Sequence, residues 1–165
     1  MHDAPLDMRF GPQALMTAAD LVNKYSEREL ADLIYQYGEE RFSRRIAKKI
    51  VEQRRSDPIR TASQLAELVR SCVPRSRGHN IDQATRTFQA LRIAVNGELD
   101  ALQTALKRLP AYLKPGGRLA IISFHSLEDR IVKEAFRDDE RLNAITRKPI
   151  VASEEESSRN PRARS

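Results

Sequence analysis

The run Leu119-Ala120-Ile121-Ile122 constrains what this chain can fold into more than any other segment. It follows the turn signal Lys114-Pro115-Gly116-Gly117 and leads into Ser123-Phe124-His125-Ser126-Leu127-Glu128-Asp129. Unbroken apolar residues of this length fit a strand covered by helices on both faces of a mainly parallel sheet. Such a strand carries backbone donors and acceptors along both edges, and each needs a partner. The rest of the sequence offers only a weak second candidate, at about 144–151. The chain therefore reads as an α/β protein, mostly helical in this polypeptide, with an incomplete sheet. Open parallel sheets hold ligands at the carboxyl ends of their strands, which directs attention to 123–129.

Helical signals fill most of what precedes. Thr17 can cap a short helix reaching about Asn23. Ser26 and Glu29 form a capping box, in which each satisfies a free backbone donor of the other. It opens a helix with Leu30, Leu33, Ile34 and Tyr37 on one side, and Gly38 is placed to end it. A longer helix over about 39–55 repeats Phe42, Ile46 and Ile50 at four-residue spacing. Pro58 breaks it, and Thr61 with Gln64 forms a second capping box ahead of Leu65, Leu68 and Val69. Residues 73–81 read as a polar loop and a module boundary. Beyond it Phe88, Leu91, Val95, Leu99, Leu102, Leu106 and Leu109 step by three or four, giving one long helix or two in series near Gly97. A helix over about 127–136 then turns Leu127, Ile131, Val132, Ala135 and Phe136 inward.

Charge and cysteine content bound the class. Lys and Arg number 29 against 23 Asp and Glu, a net charge of +6. That excess fits a polyanion partner without requiring one. Cys72 is the single cysteine, so there is no disulfide framework, and a reducing compartment is expected. No apolar run approaches the ~20 residues that span a bilayer, and the first residues do not resemble a signal peptide. We expect a cytoplasmic protein with no membrane partner.

Candidate site residues fall in three groups. Ser123, His125 and Glu128 sit where a sheet would hold its ligand, and His125 can donate to or stack on a bound ring. Against that, Ser126 and Asp129 occupy N-cap and N3 positions that a helix start requires with no ligand at all. Arg41, Arg44, Arg45, Lys48, Lys49 and Arg55 form a stripe opposite Phe42, Ile46 and Ile50. It suits phosphates or is an ordinary solvated face. Arg75, Arg77 and His79 would extend it. Arg86, Gln89 and Arg92 share one side of their helix, facing a cleft or water. An isolated histidine is weak evidence for a metal, and none is expected. No glycine-rich dinucleotide or phosphate loop and no nucleophile elbow is present.

Several blocks together resemble one family. They are Pro5-Leu6-Asp7-Met8-Arg9, Tyr37-Gly38-Glu39-Glu40-Arg41-Phe42 with Arg45-Ile46-Ala47, the whole of 84–96, 116–119 with 123–133, and the closing Asn160-Pro161-Arg162-Ala163-Arg164-Ser165. The chain resembles the carboxyl-terminal part of bacterial MraW-type methyltransferases, which methylate the N4 amine of a cytidine in small-subunit ribosomal RNA. The resemblance implies a Rossmann-like S-adenosylmethionine-dependent domain interrupted by a helical insert that contacts RNA. It divides the chain into a lead-in (1–12), the insert (13–81), the second half of the methyltransferase domain (82–152) and a polar, mobile tail (153–165). The family's cofactor loop and acidic ribose ligand have no counterpart here, so no cofactor-binding residue is assigned. Ser123, His125 and Glu128 would line the cytidine side of the pocket, with Arg86 and Arg92 nearby and the 41–49 cations on RNA. Partners would be ribosomal RNA or the subunit, and a missing amino-terminal half without which the chain is inactive. The sequence departs from the family at Ala4, where Gly is usual, and at Asp82-Gln83, where His-Pro is usual. A non-catalytic RNA-binding or protein-interaction helical module is the alternative.

Overall fold

The computed structural model describes residues 3–74, 82–146 and 148–160. The chain divides into two compact units, Met1–Glu98 and Leu99–Ser165. The loop cations Arg75, Arg77 and His79 lie outside the described residues, as do the last five positions.

The first unit contains α1 (Ala18–Lys24), α2 (Glu27–Gly38), α3 (Ser43–Ser56), α4 (Ala62–Cys72) and α5 (Thr85–Asn96). Local chemistry sets the starts of α1, α2 and α4. Complete capping boxes form at Thr17 with Asp20, Ser26 with Glu29 and Thr61 with Gln64. α2 packs against both α3 and α5, and α3 against α4. Leu30, Ile34, Ile46, Ile50, Leu65 and Leu91 are fully buried there. Each such side chain contributes ~1.5–3 kcal/mol relative to exposure.

Gly38 does something other than end its helix by a left-handed turn. It is the last residue of α2, and the left-handed position falls on Glu39 at φ 48°. A Cβ on Gly38 would meet the carbonyl oxygen of Arg86 at 2.5 Å and the Ala90 methyl at 3.3 Å. Glycine is there because α5 crosses at backbone distance. α5 also satisfies the end of α2: Gln89 Nε2 donates to the Tyr37 carbonyl at 3.1 Å and Arg86 Nη1 to that of Glu39 at 3.3 Å. The expected helix over 39–55 starts late, at Ser43. Glu40, only 3% exposed, accepts the amide of Phe42 on its Oε1 and that of Ser43 on its carbonyl.

The lead-in is firmly built. Pro5 bridges Thr61 antiparallel, Leu6 donates to the Arg60 carbonyl, and Ala62 donates to that of Ala4. The Asp7 carbonyl accepts the first amide of α1 at 2.8 Å. Met8 is left-handed at φ 64°. The Asn96 side chain holds both sides of it, donating to the Met8 carbonyl and accepting from the Phe10 amide, each at 2.8 Å. Asn23 clamps the buried Ile59 in the same two-sided way. Asp82, a departure from the family pattern, forks Arg70 and accepts the Ala84 amide.

Of the two readings for the stretch near Gly97, two helices in series is the one observed. Gly97 ends α5 at φ 59°, and α6 (Glu98–Arg108) follows, running into a 3-10 turn at Leu109–Tyr112. The second unit then continues through the 114–117 turn, an extended segment, α7 (Ser126–Asp138) and α8 (Glu154–Arg159). Within 119–125 half-buried and exposed residues alternate, the period of extended chain, with Ile122 81% and Phe124 70% exposed. Among the described residues no strand is assigned, either there or at 144–151, so the sheet expected from the sequence is not formed by these residues. α7 buries no residue fully; Leu127, Ile131, Val132, Ala135 and Phe136 are half-buried. Within the expected polar tail Ser153 accepts the Glu156 amide and starts α8.

Candidate functional site

The end of the extended segment and the start of α7 form one hydrogen-bonded unit. His125, not Ser126, is the N-cap: its Nδ1 accepts the Glu128 amide at 3.4 Å and its carbonyl accepts the Asp129 amide. Glu128, not Asp129, returns the bond, accepting the Phe124 amide on Oε2 at 2.8 Å. The sequence pointed one residue too far along because serine is the commoner cap. The imidazole is 8% exposed and the carboxylate 18%. Nε2 of His125 lies 3.5 Å from Oε1 of Glu128 and has no hydrogen-bond partner among the described residues. Ser123 is half-buried, two positions before the histidine.

The cationic stripe is real as a surface. Ser43, Ile46, Ala47 and Ile50 face the core, while Arg44, Arg45, Lys48, Lys49 and Arg55 are exposed. Arg44 and Lys48 stand one turn apart, ~6 Å along the axis. Among the described residues no carboxylate pairs with Arg44, Arg45 or Lys48, whereas Lys49 has Glu52 at 3.8 Å. Arg41, just before α3, stacks its guanidinium 4.9 Å over the Phe42 ring. Arg54 is structural, donating to the Val22 carbonyl.

Arg86 and Arg92 each have a hydrogen-bond partner within the first unit. Arg86 spends one donor on α2, as above. Arg92 forks onto Glu98 through Nε and Nη2 at 2.8 and 3.0 Å. The sequence missed Glu40 and Asn96, whose partners lie across turns or 88 positions away, where periodicity carries no signal.

Residues 1–165 match the MraW methylase family over their whole length. The chain belongs to that family. Ribosomal RNA small subunit methyltransferase H of Synechococcus elongatus is 63% identical over 165 residues, covering 99% of this chain and 55% of the relative. The proteins of that name from Kosmotoga olearia and Rhodopirellula baltica are 57% and 55% identical, with 55% and 51% of their lengths covered. The chain thus spans about half the length of the curated relatives it matches, their carboxyl-terminal part. Among the described residues no helix is long and apolar enough to cross a membrane.

Proposed function

We propose that this chain is the carboxyl-terminal part of an S-adenosylmethionine-dependent methyltransferase acting on the N4 amine of a cytidine in small-subunit ribosomal RNA. One observation carries the reading. The extended segment before α7 exposes Ile122 and Phe124, lacks a strand partner among the described residues, and ends on the His125–Glu128 pair. Those are the properties of a sheet strand whose neighbours belong to other polypeptide, with polar groups at its ligand-facing end. The match covers only 55% of the Synechococcus elongatus relative, which carries further chain. Family membership gives the non-catalytic helical module no support.

The residues present do not fit S-adenosylmethionine by themselves. The cavity beside Gln53, Asp57, Gln64 and Glu67 is lined by α3, α4 and the turn between them, with no glycine at which a cofactor could approach the backbone. No glycine-rich loop is present in the sequence. We assign the cofactor to the amino-terminal part and derive no step through it here. What this chain supplies is the amine-facing end of the site, at Ser123, His125 and Glu128, and the phosphate-facing surface. Arg41, Arg44, Arg45, Lys48 and Lys49 form that surface. Arg86 and Arg92 can join it through the guanidinium donors they do not spend on Glu39 and Glu98.

Co-expression with a polypeptide covering the amino-terminal part of the Synechococcus elongatus relative tests the reading. The expected result is a complex that methylates small-subunit RNA, from a chain that alone binds no S-adenosylmethionine. Binding by the chain alone, or no activity from the pair, refutes it. RNA affinity of the pair should fall with salt at a log–log slope of about −3, for roughly four neutralised phosphates. Arg44→Glu with Lys48→Glu should flatten that slope.

A further inference from the structure

The contacts at the start of α7 fix what His125 and Glu128 can each offer a ligand. Nδ1 of His125 accepts the Glu128 amide, so the hydrogen of the neutral ring sits on Nε2. That Nε2–H is shut off from solvent, has no hydrogen-bond partner among the described residues, and approaches Oε1 of Glu128 at 3.5 Å. The other carboxylate oxygen takes the Phe124 amide at 2.8 Å. The carboxylate is therefore held by the Phe124 amide with the imidazole packed beside its other oxygen, and of the two side chains it is the more accessible. Glu128 and Asp129 both lie in the first turn of α7. Their negative charge opposes a phosphate at this helix start, which would otherwise welcome one. A ligand group that donates hydrogen bonds is favoured instead.

We infer that Glu128 is the acceptor this segment offers to an exocyclic amine, and that His125 is its positioning residue, locked in the Nε2–H form and acting only through Glu128. The inference rests on the amine-methylation reading above and sharpens it: the carboxylate meets the base, and the imidazole does not. Cytidine presents an amine at ring position 4, where uridine presents a carbonyl oxygen that a carboxylate repels. A fixed carboxylate also stabilises positive charge developing on an amine, at no reorganisation cost.

Nuclear magnetic resonance of the full chain, labelled with ¹⁵N, tests both halves. With its ring neutral, His125 should show an unprotonated Nδ1 and a protonated Nε2; the opposite tautomer, or an even mixture, overturns the positioning role. Adding cytidine should shift the Phe124 amide and the His125 ring signals, and adding uridine should not. Glu128→Gln keeps an oxygen for the Phe124 amide, so the helix start survives, but the preference for cytidine should vanish. His125→Asn restores the cap without the Nε2–H, and should keep the unfolding midpoint while weakening the cytidine response. Equal responses to the two nucleosides, or none, overturn the assignment. So does a Glu128→Gln chain that methylates RNA normally in the reconstituted pair, an outcome that would leave the proposed function standing.

Discussion

Replacing Gly38 by Ala tests how the helical unit is held together. The new methyl would lie 2.5 Å from the Arg86 carbonyl oxygen, 3.2 Å from its carbon and 3.3 Å from Ala90 Cβ. Carbon contacts are optimal near 3.5–4.0 Å, and a backbone carbonyl cannot swing aside as a side chain can. α2 and α5 must therefore separate by roughly 1 Å. The Gln89–Tyr37 and Arg86–Glu39 bonds, at 3.1 and 3.3 Å, have no slack for that and break. Overpacking costs ~1–3 kcal/mol and each lost bond ~0.5–1.5. The better helix propensity of Ala returns ~1, leaving a net loss of about 1–5 kcal/mol. Gly97→Ala is the control. Its φ of 59° is strained for Ala, but nothing lies within 4 Å of its Cβ, so the loss should be only ~1 kcal/mol. Urea unfolding followed by far-ultraviolet circular dichroism, at unchanged slope, reads both. If Gly38→Ala costs no more than Gly97→Ala, close approach is not why glycine stands at 38.

Thr87 is fully buried, with no partner for its hydroxyl among the described residues. Thr87→Val should therefore stabilise the chain by ~1 kcal/mol, and a loss of similar size would show that the hydroxyl is satisfied after all. Hydrogen bonding from the Arg9 side chain holds the Asp7 carboxyl down at about 2, and that from Arg141 does the same for Asp139. Lys24 with Thr17 lowers Asp20 too. These pKa values are depressed from an ordinary 3.8, so their stabilisation is complete above that pH and disappears as pH falls through about 2. The melting temperature should drop across that window. Asp7→Asn should drop less, and added salt should shrink the difference; superimposable curves would refute the link.

Short-range chemistry was legible in the sequence and long-range packing was not. Ser26–Glu29 and Thr61–Gln64 bond across three positions, and Leu30, Ile34, Ile46 and Ile50 repeat at the helical period, so both could be read directly. Ser153 to Glu156 carries the same capping signal, but the run of charge around it argued for disorder. Glycine at 38 looks like a stop signal until α5 is seen crossing it. Nor could sequence show that Asn96 reaches back to Met8. At the candidate site the right segment was found, but the cap was placed on Ser126. Imidazole nitrogen can accept an amide as a hydroxyl does, and only coordinates show which one turns inward.

The bond from Asn96 to the Met8 carbonyl brings the polypeptide out of its helical unit beside the point where it went in. A module with adjoining entrance and exit can be spliced into a loop of some other domain without prising that host apart.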